Sequence, residues 1–310
     1  MLTLLNVVIP VFLVIGAGYL ATRLGLFKQS AVDGLMVFTQ GFALPCLLFD
    51  AIARLDLKTA FEPGLLISFY SGAILCFALG ILGARTIFRR RPGEAVAIGF
   101  GALFSNSVLL GLPIMERAYG PGSLDGNFAI IAFHAPVCYL IGITVMEVSR
   151  VDGRGFLGTM RAVGATLFRN ALTLGLMAGF IVNLSGISLP DPVWSAVDMM
   201  IEAALPAALF GLGGILTRYA LRRSIGEAAM VSTLSLVVHP LVTYLLADRV
   251  FGLSDALVRS AVVTASMAPG VNAYVFANIY GRAKGAAAST VLLATAASVF
   301  TVWIWLAILP

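Results

Sequence analysis

Two short polar stretches interrupt otherwise apolar runs, and they are where this chain has the means to bind something. Ser105-Asn106-Ser107-Val108-Leu109-Leu110-Gly111-Leu112-Pro113 sets three small polar side chains ahead of a Gly and a Pro. Ser266-Met267-Ala268-Pro269-Gly270-Val271-Asn272 brings the same mixture of helix breakers and hydrogen-bonding groups later in the chain. Inside a long apolar run such residues free amide and carbonyl groups. In a bilayer those groups survive only where protein covers them or where they line a wet cavity. Two breaks of this kind would aim half-helix N-termini, partly positive and rich in free N–H groups, at the space between them. Asn106, Ser107 and Asn272 would add side-chain hydrogen bonds, and Gly111, Pro113, Pro269 and Gly270 would shape the backbone. The expected ligand is an anion. No Lys or Arg lies mid-run, which suits a mono-anionic carboxylate better than a fully ionised dicarboxylate. A pair of plain proline kinks packed against neighbours is the alternative.

Ionisable groups within apolar runs are functional candidates by default. Glu202 precedes Pro206 by four residues, while His134 and His239 each stand next to a proline-containing turn, Ala135-Pro136 and Pro240. Each histidine either makes a structural hydrogen bond or takes part in proton coupling, and Glu202 is a second candidate for coupling. Gln40, just before Gly41, either faces the cavity as a substrate-binding group or bonds between helices. Asp33, Asp198 and Glu147 lie near the ends of runs, where solvent reaches them, and Arg117 is expected to snorkel to the outer interface.

Enzymatic signatures are missing. There is no His-Glu-x-x-His, no Gly-x-Ser-x-Gly, no Walker loop and no intramembrane Asp pair. Cys46, Cys76 and Cys138 are too scattered for a metal knuckle or disulfide framework and read as small buried side chains. Gly211, Gly213 and Gly214 read as a small-residue packing face, since no strand precedes them.

The elements that must position these residues follow from composition. The 310 residues are 60% hydrophobic and 11% charged, against about 45–50% and about 25% in soluble chains. The bilayer is therefore the solvent, and the net charge of +5 reflects basic cytoplasmic loops, not nucleic-acid binding. Ten segments are long and apolar enough to span: 2–21, 31–53, 63–88, 95–119, 128–148, 168–187, 193–217, 227–247, 256–280 and 285–309. Leu2–Leu20 lacks a basic leader and a clear cleavage site and reads as a retained first span. Continuous apolar runs exclude a β-barrel. Of the 20 Lys and Arg, 15 fall in or beside the loops after odd-numbered spans. That bias places those loops in the cytoplasm and both termini outside.

The chain also repeats itself at an offset of 161 residues. Gly18-Tyr19-Leu20 answers to Gly179-Phe180-Ile181, Gly25 to Gly186, Leu44-Pro45 with Leu48-Phe49 to Leu205-Pro206 with Leu209-Phe210, and Tyr119-Gly120 to Tyr280-Gly281. Ala31-Val32-Asp33 and Ala196-Val197-Asp198 stand at 165, about one extra helical turn. Five spans per repeat is an odd number, so the halves would have opposite topology. The expected fold is all-α and integral to the membrane: ten transmembrane helices in two inverted five-helix repeats, with broken crossing helices in spans 4 and 9. Residues 1–150 form the first repeat, 151–167 a short cytoplasmic linker and 168–310 the second repeat.

At this level the chain resembles the bacterial members of the auxin efflux carrier family. The likeness rests on Val11-Phe12-Leu13-Val14-Ile15-Gly16-Ala17-Gly18-Tyr19, Arg23-Leu24-Gly25-Leu26-Phe27, Leu44-Pro45-Cys46-Leu47-Leu48-Phe49, Asn106-Ser107 with Gly111-Leu112-Pro113, and Ala268-Pro269-Gly270-Val271-Asn272. Plant relatives carry a long hydrophilic insert between spans 5 and 6. Here that loop covers only about 149–167, as in bacterial members described as malonate or malate permeases. The resemblance implies a fold akin to the bile acid:sodium symporters, with a scaffold of spans 1, 2, 6 and 7 and a transport unit of spans 3–5 and 8–10. It implies that spans 4 and 9 cross at their prolines around the substrate, that the unit moves as an elevator, and that the protein pairs as a homodimer.

The reading is a secondary active or facilitated transporter of small organic anions, carboxylates such as auxin-like weak acids or malonate and malate, by alternating access. The alternatives are a sodium-coupled bile-acid-like symporter and a membrane anion sensor that does not transport. No cofactor, metal or nucleic-acid partner is expected. Coupling would be to H+ or Na+, and the location a bacterial-type inner (plasma) membrane.

Overall fold

A computed structural model describes residues 2–55, 62–149, 171–219 and 224–310. The expected 151–167 linker, and residues 168–170 of the sixth segment, lie outside the described residues. Among the described residues every regular element is a helix. The elements are α1 (Leu2–Arg23), α2 (Gln29–Ala53), α3 (Pro63–Thr86), α4 (Pro92–Leu103), and α5, which starts as a π turn at Ser107–Gly111 and runs on as Leu112–Tyr119. There follow α6 (Asp125–Ser149), α7 (Ala171–Ser185), α8 (Asp191–Leu216), α9 (Ile225–Val250), α10 (Asp255–Ala265), α11 (Val271–Ile279) and α12 (Lys284–Ile308). Six of them, α2, α3, α6, α8, α9 and α12, are long and apolar enough to cross a bilayer, and Val7–Arg23, α4 and α7 are shorter apolar helices. The fourth and ninth segments, expected as broken spans, are each two helices separated by non-helical residues: α4 and α5, and α10 and α11.

Proline and glycine set the local geometry. Three π turns, Thr39–Ala43, Ser107–Gly111 and Leu234–Val238, each end two residues before a proline: Pro45, Pro113 and Pro240. A helical proline has no N–H, and its ring crowds the carbonyl four residues back, so the wider turn relieves that clash. Opposite Pro240, the Leu236 carbonyl receives Trp305 Nε1–H from α12 at 2.8 Å. Gly25, Gly120, Gly186 and Gly281 close α1, α5, α7 and α11 with φ of 74°, 86°, 66° and 63°. This left-handed conformation ends helices and favours glycine. The four form two pairs 161 residues apart.

The chain divides into two compact units. The larger comprises Met1–Ile9, Phe61–Val163 and Tyr219–Pro310, and so holds α3–α6 and α9–α12. The smaller comprises Pro10–Ala60 and Gly164–Arg218, and holds most of α1 with α2, α7 and α8.

Close backbone approach builds the smaller unit. A Cβ on Gly18 of α1 would lie 2.0 Å from the Phe210 carbonyl oxygen of α8, and one on Gly179 of α7 would lie 2.7 Å from that of Phe49 in α2. Both glycines and both phenylalanines are 161 apart, so the repeat seen in the letters returns as a repeated contact. A Cβ on Gly213 would meet the Ile15 oxygen at 1.9 Å, while Gly211 and Gly214 press on Met36 and Val32 of α2. These glycines form the expected packing face. Small residues let helices approach in lipid, where no hydrophobic effect drives them together. At the helix ends the Asn183 amide faces the Ile52, Ala53 and Leu55 carbonyls, and Arg218 pairs with Asp33 at 2.7 Å.

In the larger unit α3 lies against α4, with Gly80 and Gly99 at the contact. Glu227, buried in the first turn of α9, accepts Arg90 Nε–H at 2.8 Å and so ties down the α3–α4 loop. Cys76 donates to the Leu234 carbonyl at 3.4 Å, at the start of a π turn. That carbonyl also accepts the His239 N–H that closes the turn.

Gly213→Ala and Gly18→Ala force backbones apart and are expected to destabilise the protein by roughly 1–3 kcal/mol through overpacking. Gly16→Ala, whose Cβ meets nothing within 4 Å, should leave stability unchanged or slightly raised. Thermal unfolding of the purified variants in detergent checks the contrast.

Candidate functional site

α4 ends at Leu103 and α5 begins at Ser107; α10 ends at Ala265 and α11 begins at Val271. The two gaps meet as one antiparallel bridge between Ser105 and Pro269. Asn106 N–H donates to the Ala268 carbonyl at 2.9 Å, and Gly270 N–H donates to that of Phe104 at 3.3 Å. Two broken segments therefore cross and satisfy part of one another's freed backbone. Under the 161-residue offset Ser105 falls on Ser266, so the two breaks overlap in the repeat.

Several carbonyls around the first break have partners too. Phe100 accepts from Phe104 N–H at 3.1 Å, and Asn106 accepts from Leu110 and Gly111 N–H at 3.2 and 3.1 Å. Ser105 accepts from the His134 ring at 3.1 Å, and Leu103 from the Cys138 thiol at 3.7 Å. A carbonyl oxygen only accepts, so His134 Nε2 carries the hydrogen and Nδ1 is left toward Cys138, 3.7 Å away. A buried group left unsatisfied here would cost about 1–3 kcal/mol.

A single helix supplies most of these outside donors. Along α6, Asn127 donates to Thr264 of α10 at 2.8 Å, His134 to the α4–α5 break, Cys138 to the end of α4, and Tyr139 to Asn272 Oδ1 of α11 at 3.2 Å. Aromatic rings reinforce the bracket. Phe100 and Phe276 stack with centroids 3.9 Å apart, and Tyr139 packs against Phe100 and Phe104 at 5.5 and 5.7 Å.

The result is a locus that offers donors. The residues at 107–119 and Val271–Ile279 each begin at the crossing, and the first amides of a helix have no acceptor within it. The side chain of Asn106, 7% exposed, has no hydrogen-bond partner among the described residues, and Ser105 Oγ is buried without one. Because Tyr139 occupies Asn272 Oδ1, the Asn272 NH2 group is left to donate. Ser107 is buried beside Asn106. Such an array of neutral donors and helix dipoles stabilises negative charge without a formal counter-charge.

A family profile described as "Membrane transport protein" matches residues 3–306. The chain belongs to this family. It is the auxin efflux carrier (PIN-like) group whose motifs the sequence resembles. A Rhizobium meliloti protein named "Putative malonate transporter" is 25% identical over 297 residues, covering 96% of this chain and 93% of the relative. An uncharacterised transporter of Methanothermobacter thermautotrophicus is 24% identical, covering 86% and 85%. One of Escherichia coli K12 is 22% identical, covering 88% of each. The protein is accordingly a membrane transporter and not an enzyme. Among the described residues no group of His, Cys, Asp or Glu could hold a metal ion.

The transporter's expected site residues separate cleanly. Asn106, Ser107, Pro269, Gly270 and Asn272 come together at the crossing. Gly111 closes the π turn one step away; a Cβ there would be 3.4 Å from Met267. Pro113 requires a correction. It lies inside α5, eight residues beyond Ser105, so span 4 crosses at a Ser-Asn dipeptide and only span 9 crosses at its proline. A proline following a π turn is accommodated by the helix and does not break it. Gln40 and Glu202 are exposed and belong to the smaller unit, on α2 and α8. Arg117 donates to the Val7 carbonyl at 3.2 Å on an exposed face. Sequence reasoning missed Tyr139 and Asn127. Both lie in α6, whose apolar run carries no breaker at either position, and only their pairing with Asn272 and Thr264 distinguishes them.

Tyr139→Phe removes the hydroxyl that holds the Asn272 amide while keeping the ring in its cluster. Substrate affinity is expected to fall about threefold to tenfold, the loss of about one hydrogen bond, while stability falls by no more than about 1.5 kcal/mol. Binding titration beside a melting curve tests both halves.

Proposed function

We propose that this protein is a secondary transporter of small organic anions, with carboxylates as its substrate class. The observation that carries this reading is the crossing at Ser105 and Pro269. It gathers the starts of two half-helices and the amides of Asn106 and Asn272 into one donor-rich locus with no Lys or Arg in it. A carboxylate fits such a locus, because its oxygens accept several N–H groups at once and its charge is matched by partial ones. The relative named for malonate supports the same class.

The proposed architecture is ten spans in two inverted repeats. The glycine pairs, the doubled Gly–Phe contact of the smaller unit and the overlapping breaks, all at 161 residues, support it. The smaller unit would act as scaffold and as the surface for homodimerisation. The larger unit, which contains the whole crossing, would carry the anion in an elevator-type cycle of alternating access. The basic bias of the odd-numbered loops supports an inner-membrane protein with both termini outside. Coupling to H+ or Na+ is part of the proposal, with Glu202 as the group to test for protons.

Uptake of labelled malonate, malate, lactate and indole-3-acetate into proteoliposomes, under proton, sodium or no gradient, tests the reading. Saturable uptake of at least one acid is expected; binding without uptake under every gradient would turn the protein into a sensor. Asn106→Ala and Asn272→Ala should each raise the half-saturating concentration about tenfold or more, as loss of a hydrogen bond to a charged group does. Wild-type values in both would remove the crossing as the site. Glu202→Gln should flatten the pH dependence of uptake if the carboxylate carries the proton, and an unchanged profile assigns coupling elsewhere.

A further inference from the structure

His134 belongs to no part of the anion site, yet it is buried and directly bonded to the break. Its surroundings decide between the two roles open to an intramembrane histidine. Nε2–H is committed to the Ser105 carbonyl at 3.1 Å, and Nδ1 faces a thiol. The ring is held edge-on by Phe69 and Phe104, with centroids 5.6 and 4.6 Å away, and lies over Tyr70 at 6.4 Å. The titratable groups around it are Tyr70 of α3, Cys138 of α6 and, across Phe69, His239 of α9. His239 is itself committed in the same manner, to the Phe69 carbonyl at 3.1 Å. The carboxylates of α4, α5, α6, α9 and α10 (Glu94, Glu116, Asp125, Glu147, Glu227, Asp248 and Asp255) all stand in terminal turns, and α3 has none. Among the described residues, a proton arriving on Nδ1 would meet no counter-charge and no acceptor to pass it to. Rotating the ring to find one would release Ser105 into an apolar interior.

We propose that His134 is a positioning residue: as a neutral Nε2–H donor it pins the Ser105 carbonyl, and so fixes where Asn106 and Ser107 present themselves, and it carries no proton in the transport cycle. The bond acts at the residue that pairs with Pro269, so its loss loosens both broken segments. This inference rests on the crossing being the carboxylate site, and its test separates the two.

His134→Gln keeps a neutral N–H donor of similar reach that does not titrate; His134→Leu keeps volume without a donor. Hydrogen exchange in detergent, which needs no substrate, reads the Asn106 and Gly270 amides. His134→Leu should exchange at least tenfold faster there, and His134→Gln at the wild-type rate. In proteoliposomes His134→Gln should keep both its half-saturating concentration and its pH profile, while His134→Leu raises the former at least fivefold. Unchanged exchange in His134→Leu would overturn the positioning role. A His134→Gln protein that exchanges substrate but no longer responds to a proton gradient would show that the histidine carries protons. Should His134→Leu not fold, His134→Asn, whose amide is too short to reach Ser105, takes its place. If the wild type takes up none of the acids, the functional reading fails, and the exchange result still decides on His134.

Discussion

A peptide group inside a bilayer has no water to fall back on, and the structure around the crossing is a response to that constraint. Interrupting a helix inside a membrane protein releases several donors and acceptors, each costly if buried and left bare. Here several of the acceptors are met. Some are met by the opposite break, through Asn106 to Ala268 and Gly270 to Phe104, and some by α6, through His134 and Cys138. The donors that remain, at the starts of α5 and α11, are the ones an anion can use. The site lies where part of the freed backbone is paired across the crossing and the first amides of the two half-helices are not.

The same constraint explains why α6 is polar where it is. Asn127, His134, Cys138 and Tyr139 face four different pieces of the two broken segments. Each side chain would be a costly guest in an apolar helix if its partner were missing. Together they let one unbroken helix hold two broken ones. Proline irregularities elsewhere are handled alike: the π turns before Pro45, Pro113 and Pro240 widen the helix, and Trp305 supplies a donor opposite Pro240.

The smaller unit obeys a different rule. Among its described residues there is no break like the crossing, and its helices meet through glycine, at distances where a methyl group would touch backbone oxygen. Dispersion between closely approached backbones is the available attraction in lipid, and it falls off steeply with separation. Such contacts suit a rigid body. The larger unit adds hydrogen bonds and aromatic stacking around the crossing to its glycine contact between α3 and α4.

Much of this was legible in the letters. Apolar run lengths, charge confined to gaps, and breakers set within the fourth and ninth runs are local properties, and bilayer thickness converts them directly into helices and interruptions. The offset of 161 was readable because glycine at a helix end or a backbone contact admits no substitute, so Gly18 and Gly179, or Gly120 and Gly281, keep their spacing. Asn106, Ser107, Pro269, Gly270 and Asn272 were readable for the same reason, as polar or unbonded groups in places that tolerate few. What the tertiary structure alone decided was partnership. Pro113 looked like the breaker of span 4, but a π turn absorbs it and the chain opens at Ser105, because that is where an opposing strand can supply an N–H and a carbonyl. His134 was ambiguous until Ser105 appeared at its Nε2, and Tyr139 was invisible until it met Asn272. A sequence states which groups need a hydrogen-bond partner, whereas the partner's identity is a three-dimensional fact, set by which distant helix the fold brings within 3 Å or so.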